Sequence, residues 1–231
     1  MKQLLLAVFV AGSSMTQAQF LLPRAGATFS WVQFDDPSLT QTEKQGFTFG
    51  LGYNFKISNR ISVQPEFNFI QKGFSSSETY TVYPYGGGYY DENVKRKQGM
   101  NYLQLPLLGK VTLGNKIKVF LNAGPALGFG LSGKGSYSYN TEGVDGLGDP
   151  ISANVNIDYK VIFKEAPLGY EGEDAYIKER IDVSAQFGLG ISLFDKVILE
   201  TRYGHSISSF NTYPKMQHRL WQITIGVPIR F

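Results

Sequence analysis

Residues 222–231 read QITIGVPIRF, with apolar side chains at the odd positions Ile223, Ile225, Val227, Ile229 and Phe231. The even positions carry Gln222, Thr224, Gly226, Pro228 and Arg230. A period of two describes a strand with two chemically different faces. Soluble domains usually end in a frayed polar tail. A strand that alternates to a final phenylalanine asks instead for apolar surroundings.

Working back from this segment, the same alternation defines eight stretches, at about 25–34, 46–57, 59–72, 100–113, 116–131, 180–194, 196–207 and 218–231. Each can supply the roughly 9 to 11 residues that a tilted membrane strand needs. Their connections alternate in length, with long links at 35–45, 73–99, 132–179 and 208–217. Between them fall three tight turns, Ile57–Ile61, Leu113–Ile117 and Leu193–Val197. Asn59, Asn115 and Asp195 sit at their centres, where tolerance of the left-handed region helps a short hairpin close. Long loops at one end and short turns at the other predict an outer-membrane barrel with its short turns in the periplasm.

A soluble eight-stranded barrel would also alternate, so the size of the two faces decides. The odd face holds Phe47, Phe49, Leu51, Tyr53, Phe55 and Ile57 on one strand, and Ile181, Val183, Phe187, Leu189, Ile191 and Leu193 on another. The even face holds Gly50, Gly52, Asn122, Gly124, Gly128, Ser184, Gln186, Gly188, Gly190 and Gln222. Eight strands leave room inside only for side chains to fill. The bulky face must then point outward, toward lipid. Charge agrees, since Lys56, Glu66, Lys110, Lys118, Asp182, Glu200, Arg202 and Arg230 are all even. A basic residue facing lipid at mid-bilayer costs about 2–4 kcal/mol.

The aromatic residues form a third pattern. Trp31, Phe47, Phe49, Phe69, Phe129, Tyr203 and Trp221 fall toward the long-loop ends, and Phe55 and Phe231 at the short-turn end. Girdles at the two lipid interfaces have this distribution.

Residues 1–18 predict a cleaved signal peptide, with Lys2 as the n-region, Leu4–Val10 as the apolar core and Thr16-Gln17-Ala18 before the cut. Residues 19–231 then form one barrel domain. The apolar core is too short to span a bilayer. Cysteine is absent, which removes disulfides, thiolate metal sites, a cysteine nucleophile and lipobox acylation. The formal charge of +3 is too balanced to imply nucleic acid.

ISVQPEFNFIQKGF (61–74), NYLQLPLLGKV (101–111), NAGPALGFGL (122–131), KVILETRYGHSISSF (196–210) and ITIGVPIRF (223–231) resemble the PorT-family outer-membrane β-barrel domain of Bacteroidota. The resemblance covers nearly all of the mature chain. It implies an all-β, eight-stranded antiparallel transmembrane barrel of OmpA/OmpX-like architecture in the outer membrane of a Gram-negative bacterium. It also implies contact with outer-membrane lipid and lipopolysaccharide. Analogy with outer-membrane barrels generally adds that Phe231 would be read by the barrel-assembly machinery. One family member is implicated in protein secretion, whereas most have no assigned role.

Candidate sites fall in three groups. Glu66, Lys110, Asp182, Glu200, Arg202 and Arg230 would line a narrow lumen, where buried charges have to be paired. His205 lies near Ser206 and Ser208, which raises a lipid-modifying serine chemistry, but no orienting acid is evident. His218 reads as solvent-facing. Neither histidine is assigned a catalytic role, and no metal or cofactor site is expected. The third group lies in the loops. Tyr80, Tyr83, Tyr85, Tyr89 and Tyr90 are interleaved with glycine, a composition that makes adaptable contact surfaces, and are followed by Lys95, Arg96 and Lys97 as a candidate for phosphate contacts.

Segment 151–163 also alternates, and is expected to rise above the membrane paired with 134–141. Its apolar residues, including Ile157 and Phe163, then need a partner surface. Loops 73–99 and 132–179 are therefore the expected place for a protein partner. A surface, structural or secretion/assembly role acting through these loops is the expected function. A small channel and a lipid-directed enzyme are the alternatives.

Overall fold

The computed structural model describes residues 19–34, 41–210 and 216–230. It contains twelve strands: β1 Phe20–Phe34, β2 Gln41–Thr42, β3 Lys44–Lys56, β4 Ile61–Val82, β5 Gly88–Gly114, β6 Ile117–Asp145, β7 Pro150–Ile162, β8 Ala175–Tyr176, β9 Ile181–Leu193, β10 Val197–Ser206, β11 Met216–Gly226 and β12 Ile229–Arg230. Eight of them form a ring in the order β1–β3–β4–β5–β6–β9–β10–β11, every neighbouring pair antiparallel. Pairs such as Phe29 with Trp221 and Ala25 with Ile225 close it. Pro228 has no N–H to give, and beyond it β12 resumes pairing with β1, Arg230 facing Phe20. The predicted signal peptide (1–18) and Phe231 lie outside the described residues.

Parity governs the wall. Odd side chains point outward: Phe49, Phe67, Leu121, Phe187, Ile223 and Ile225 are all exposed from the protein. Even side chains point in, so Gln64, Gln104, Gln186, Arg202 and Gln222 are buried. This inversion of a soluble protein is stable only where the exterior solvent is lipid. It predicts that Leu189→Arg, on the outer wall near the level of buried Arg202, destabilises the barrel by about 2–4 kcal/mol. Urea unfolding in lipid vesicles would measure the loss, and an unchanged midpoint would contradict the outward lipid face.

The turns differ in part from the sequence expectation. Asp195 does adopt positive φ (56°), together with Phe194 (51°). In the second turn Gly114 takes that conformation (φ 102°) and Asn115 does not. The first closes without any positive-φ residue, because the Ser58 hydroxyl accepts from the Ile61 amide at 3.1 Å.

The larger correction is above the membrane. Segment 73–99 is no loop. β4 and β5 run on as a regular hairpin from Gly73–Gly99 to Val82–Tyr90. β6 continues beside β5, and 134–141 pairs with β7 as the alternation had suggested, Tyr139 opposite Val155. The result is a four-stranded sheet that continues the wall outward. At about 3.3 Å per residue, ten residues of it rise roughly 30 Å.

A bulge gives this sheet its second face. Asn101 opposes Ser132, yet Tyr102 opposes Gly130, so Leu131 is an extra residue in β6. A bulge of this kind reverses the parity beyond it. Odd residues of β6 and β7 now turn inward, with Gly133 against Val161 and Gly135 against Tyr159. Val161 and Phe163 are therefore buried over the barrel mouth, in one cluster with Ile70, Phe74, Met100, Tyr102, Ile177, Phe210 and Leu220.

Candidate functional site: lumen layers and extracellular sheet

Three layers occupy the interior. At the periplasmic end Leu22, Phe120 and Ile198 form an apolar floor, backed by Phe20. Lys110 stands over the Phe120 ring, its Nζ 3.6 Å from the centroid, and donates to Gln64 Oε1 at 3.5 Å.

The middle layer is ionic. Glu200 and Arg202 share the inner face of β10 because they are two residues apart. Arg202 reaches Glu66 on β4, the opposite wall of the ring, with NH1 to Oε2 at 2.8 Å and NH2 to Oε1 at 3.0 Å. It also donates to Glu200 Oε1 from Nε at 2.8 Å and NH2 at 2.6 Å. Arg24 completes the group, with NH1 2.7 Å from Glu66 and 3.3 Å from Glu200. Two guanidinium groups and two carboxylates balance, and Asn68, Gln64 and Asn122 fill remaining carboxylate sites. Opposite walls thus touch through bidentate, charge-assisted bonds.

Above this, Lys72 pairs with Asp182, and Ser208 donates to Asp182 Oδ1 at 3.2 Å. Asp182 therefore belongs to a second ionic group rather than to the Glu66 layer. His218 lies beside it. It is 1% exposed, stacked on Phe210 (4.5 Å) and edge-on to Tyr102 (5.8 Å), so the solvent-facing expectation is corrected. Its even position on β11 turns it inward beneath the apolar lid. Both its ring nitrogens and the Tyr102 hydroxyl lack hydrogen-bond partners among the described residues.

Arg230 is also corrected. It leaves the lumen for the periplasmic rim, half-exposed, with NH2 2.9 Å from Asp195, which Lys118 holds as well at 2.7 Å. Partial burial opposes charge on Asp195, but the hydrogen bonds from Lys118 and Arg230 outweigh it and lower its carboxyl pKa. Sequence reasoning missed Arg24 and Lys72. Both are even, and extending the alternation one residue before position 25 would have found Arg24.

His205 is on the outward parity of β10 and Ser206 is buried inward, so the two do not form a nucleophile–base pair. The outward aromatics gather in groups. Phe47, Phe49 and Phe69 stack with centroids 5.1–6.2 Å apart. Tyr203 bridges Trp31 and Trp221 at 6.4 and 5.2 Å. Phe55 (beside Tyr53) and Phe129 are exposed on the same outer wall.

In the extracellular sheet Tyr80, Tyr83, Tyr85 and Tyr89 are exposed around the β4–β5 tip, Tyr90 less so. The basic run 95–97 divides by strand parity. Arg96 turns to the concave face, over the Tyr137 ring (5.0 Å) and the Phe74 ring (5.4 Å), and bonds Gln98 at 3.2 Å. Tyr159 donates to the same Gln98 oxygen at 3.0 Å. Burial pushes the Tyr159 phenol pKa up against the influence of Arg96. Phe163, expected as a partner contact, is 4% exposed and packs edge-on to Tyr102 at 5.4 Å. Ile157 is half-buried and Val155 exposed.

Residues 14–211 match the family described as outer membrane protein beta-barrel domain. No curated protein matches the chain. Among solved structures it is similar to Ail, the attachment invasion locus protein of Yersinia pestis, at 13% identity and a TM-score of 0.43, covering 93% of this chain and 100% of that one. Neisserial surface protein A matches at 10% identity and a TM-score of 0.35, covering 91% and 97%. The outer membrane protein OprG from Pseudomonas aeruginosa matches at 9% and 0.37, covering 93% and 97%. The family match spans most of the chain, and the closed ring with its outward apolar wall is the architecture that the family's description names. The chain belongs to the outer membrane protein β-barrel domain family and is an outer-membrane protein.

Proposed function

We propose that this protein is a non-enzymatic surface component that works through its extracellular sheet, with a lumen that does not conduct. One observation carries the reading. A closed barrel abolishes strand edges, yet the extension creates a new one. β7 pairs with β6 along its length and with β8 only at Val161 and Ile162, which leaves the far side of 150–160 without a strand among the described residues. Natural edges are blunted by proline, lysine or inward charge. Here Pro150 and Lys160 stand at the two ends, and ISANVNID between them carries a single charge. An exposed edge of this kind suits a partner that adds a strand, main-chain bonds supplying affinity. The exposed tyrosines of the β4–β5 tip supply a second contact area.

The three interior layers favour this reading over a channel. The separation of His205 from Ser206 favours it over a lipid-directed enzyme. The finer assignment, to the PorT family of a Gram-negative member of the Bacteroidota, rests on the quoted segments. Assembly by the barrel machinery and a secretion/assembly role remain within the same proposal.

Photo-crosslinking tests it. A photoreactive residue at Val155 of the full chain should capture one defined protein in cells, and Ala153→Lys with Asn156→Lys should abolish the adduct while heat-modifiable gel migration persists. An adduct that survives those lysines, or none at Val155 in the folded protein, would overturn the edge as the working surface.

A further inference from the structure

Five cations meet where the barrel leaves the membrane. A groove of about 660 Å³ on the outer side of β5–β7 is lined by Lys44, Lys134, Lys160, Lys164 and Arg180, and by no carboxylate. None of the five has an ion-pair partner among the described residues. Asp174, the acid that bonds the Lys160 backbone amide at 2.8 Å, is not part of the lining. Like charges brought together in this way raise a local potential that favours an anion.

Two details indicate a built site. The Lys44 side chain lies across β4 and β5 where Gly73 and Gly99 leave room; a Cβ at either position would fall within 2.6 or 2.7 Å of it. Arg180 Nε is hidden from solvent and has no acceptor among the described residues, whereas buried donors are normally paired. The Arg180 guanidinium also stands over the ring of outward-facing Phe129 at 4.8 Å. That contact places the groove at the upper border of the lipid-facing wall. Leu131 and Phe129 give its border exposed apolar side chains, whereas Val161 and Phe163 in its lining are buried toward the mouth.

We propose that this groove binds the phosphate-bearing headgroup of an outer-leaflet glycolipid. Several cations spaced around a cavity match a headgroup with more than one phosphate. The apolar residues at the membrane border match the start of its acyl chains. Lipid bound there would brace the base of the extracellular sheet against the bilayer. This inference needs no protein partner and stands apart from the edge-strand reading.

The test uses the refolded full chain in neutral detergent micelles doped with bisphosphorylated lipid A or with its dephosphorylated form, binding followed by native mass spectrometry. Retention of the phosphorylated lipid is expected to exceed the other at least tenfold. It should fall by a similar factor in Lys134→Gln/Lys160→Gln/Lys164→Gln, whose exposed side chains leave heat-modifiable migration unchanged. Arg180→Gln alone should weaken it several-fold. Equal retention of both lipids, or unchanged retention by the folded triple variant, would overturn the proposal. Inorganic pyrophosphate displacing the lipid at equimolar concentration would also overturn it, marking a site for free anions.

Discussion

Arg202→Met should cost the folded barrel about 3–5 kcal/mol, the usual consequence of removing one member of a buried ionic group. Arg202 is fully buried and bonds both Glu66 and Glu200. Without it Arg24 alone touches the two carboxylates, and the nearby buried Lys110, bonded to Gln64 at 3.5 Å, makes no direct ion pair with either of them. Methionine fills much of the volume, so the loss reports charge rather than a cavity. Restoring balance with Glu200→Gln in the same chain should recover a large part of the loss, because Arg24 and Glu66 then pair alone at 2.7 Å. Urea unfolding of the two variants in lipid vesicles makes the comparison. A single variant within about 1 kcal/mol of wild type, a value typical of exposed pairs, would mean that water enters the layer.

Phe163→Ala should open the lid. Its ring packs against Tyr102 and sits within 2.6 Å of where a Cβ on Gly130 would be, so the site is tightly filled. Truncating a buried phenylalanine costs about 3–5 kcal/mol. Here the cost falls on a sub-structure that can separate from the wall, since β7 is held by β6 and two residues of β8. Amide exchange across 159–163 should then accelerate by roughly a hundredfold or more while the ring strands stay protected. His218 should become reactive to an imidazole-directed reagent. Uniform acceleration across the ring would show that lid and wall unfold as one unit.

The wall was legible from residues alone because a single rule, odd out and even in, holds within the membrane-spanning ring, below the bulge at Leu131, and is enforced by the cost of charge in lipid. That rule locates Glu66, Glu200 and Arg202 on the inner face. It says nothing about who meets whom across the lumen, so Arg230, which pairs with Asp195 at the rim, was grouped with the Glu66 layer, and Asp182, which pairs with Lys72, with the wrong arginines. Lys72 is the last residue of the predicted 59–72 strand, next to the long link, and was not grouped with the lumen charges. The extracellular sheet was less legible for a different reason. In water both faces tolerate polar residues, so the alternation in 73–99 is weak and reads as loop. The bulge at Leu131 has no signature in side-chain type, yet it decides that Val161 and Phe163 face the mouth. His218 reads as exposed until that lid is in place.

The most direct measurement is single-channel conductance of the folded protein in a planar bilayer, with folding verified by heat-modifiable migration. Floor, ionic layer and lid together predict a silent membrane, in Arg202-containing chains with or without Phe163. Stable open levels that shift with Glu200→Gln would contradict a closed lumen and move the function from the outer sheet to the interior.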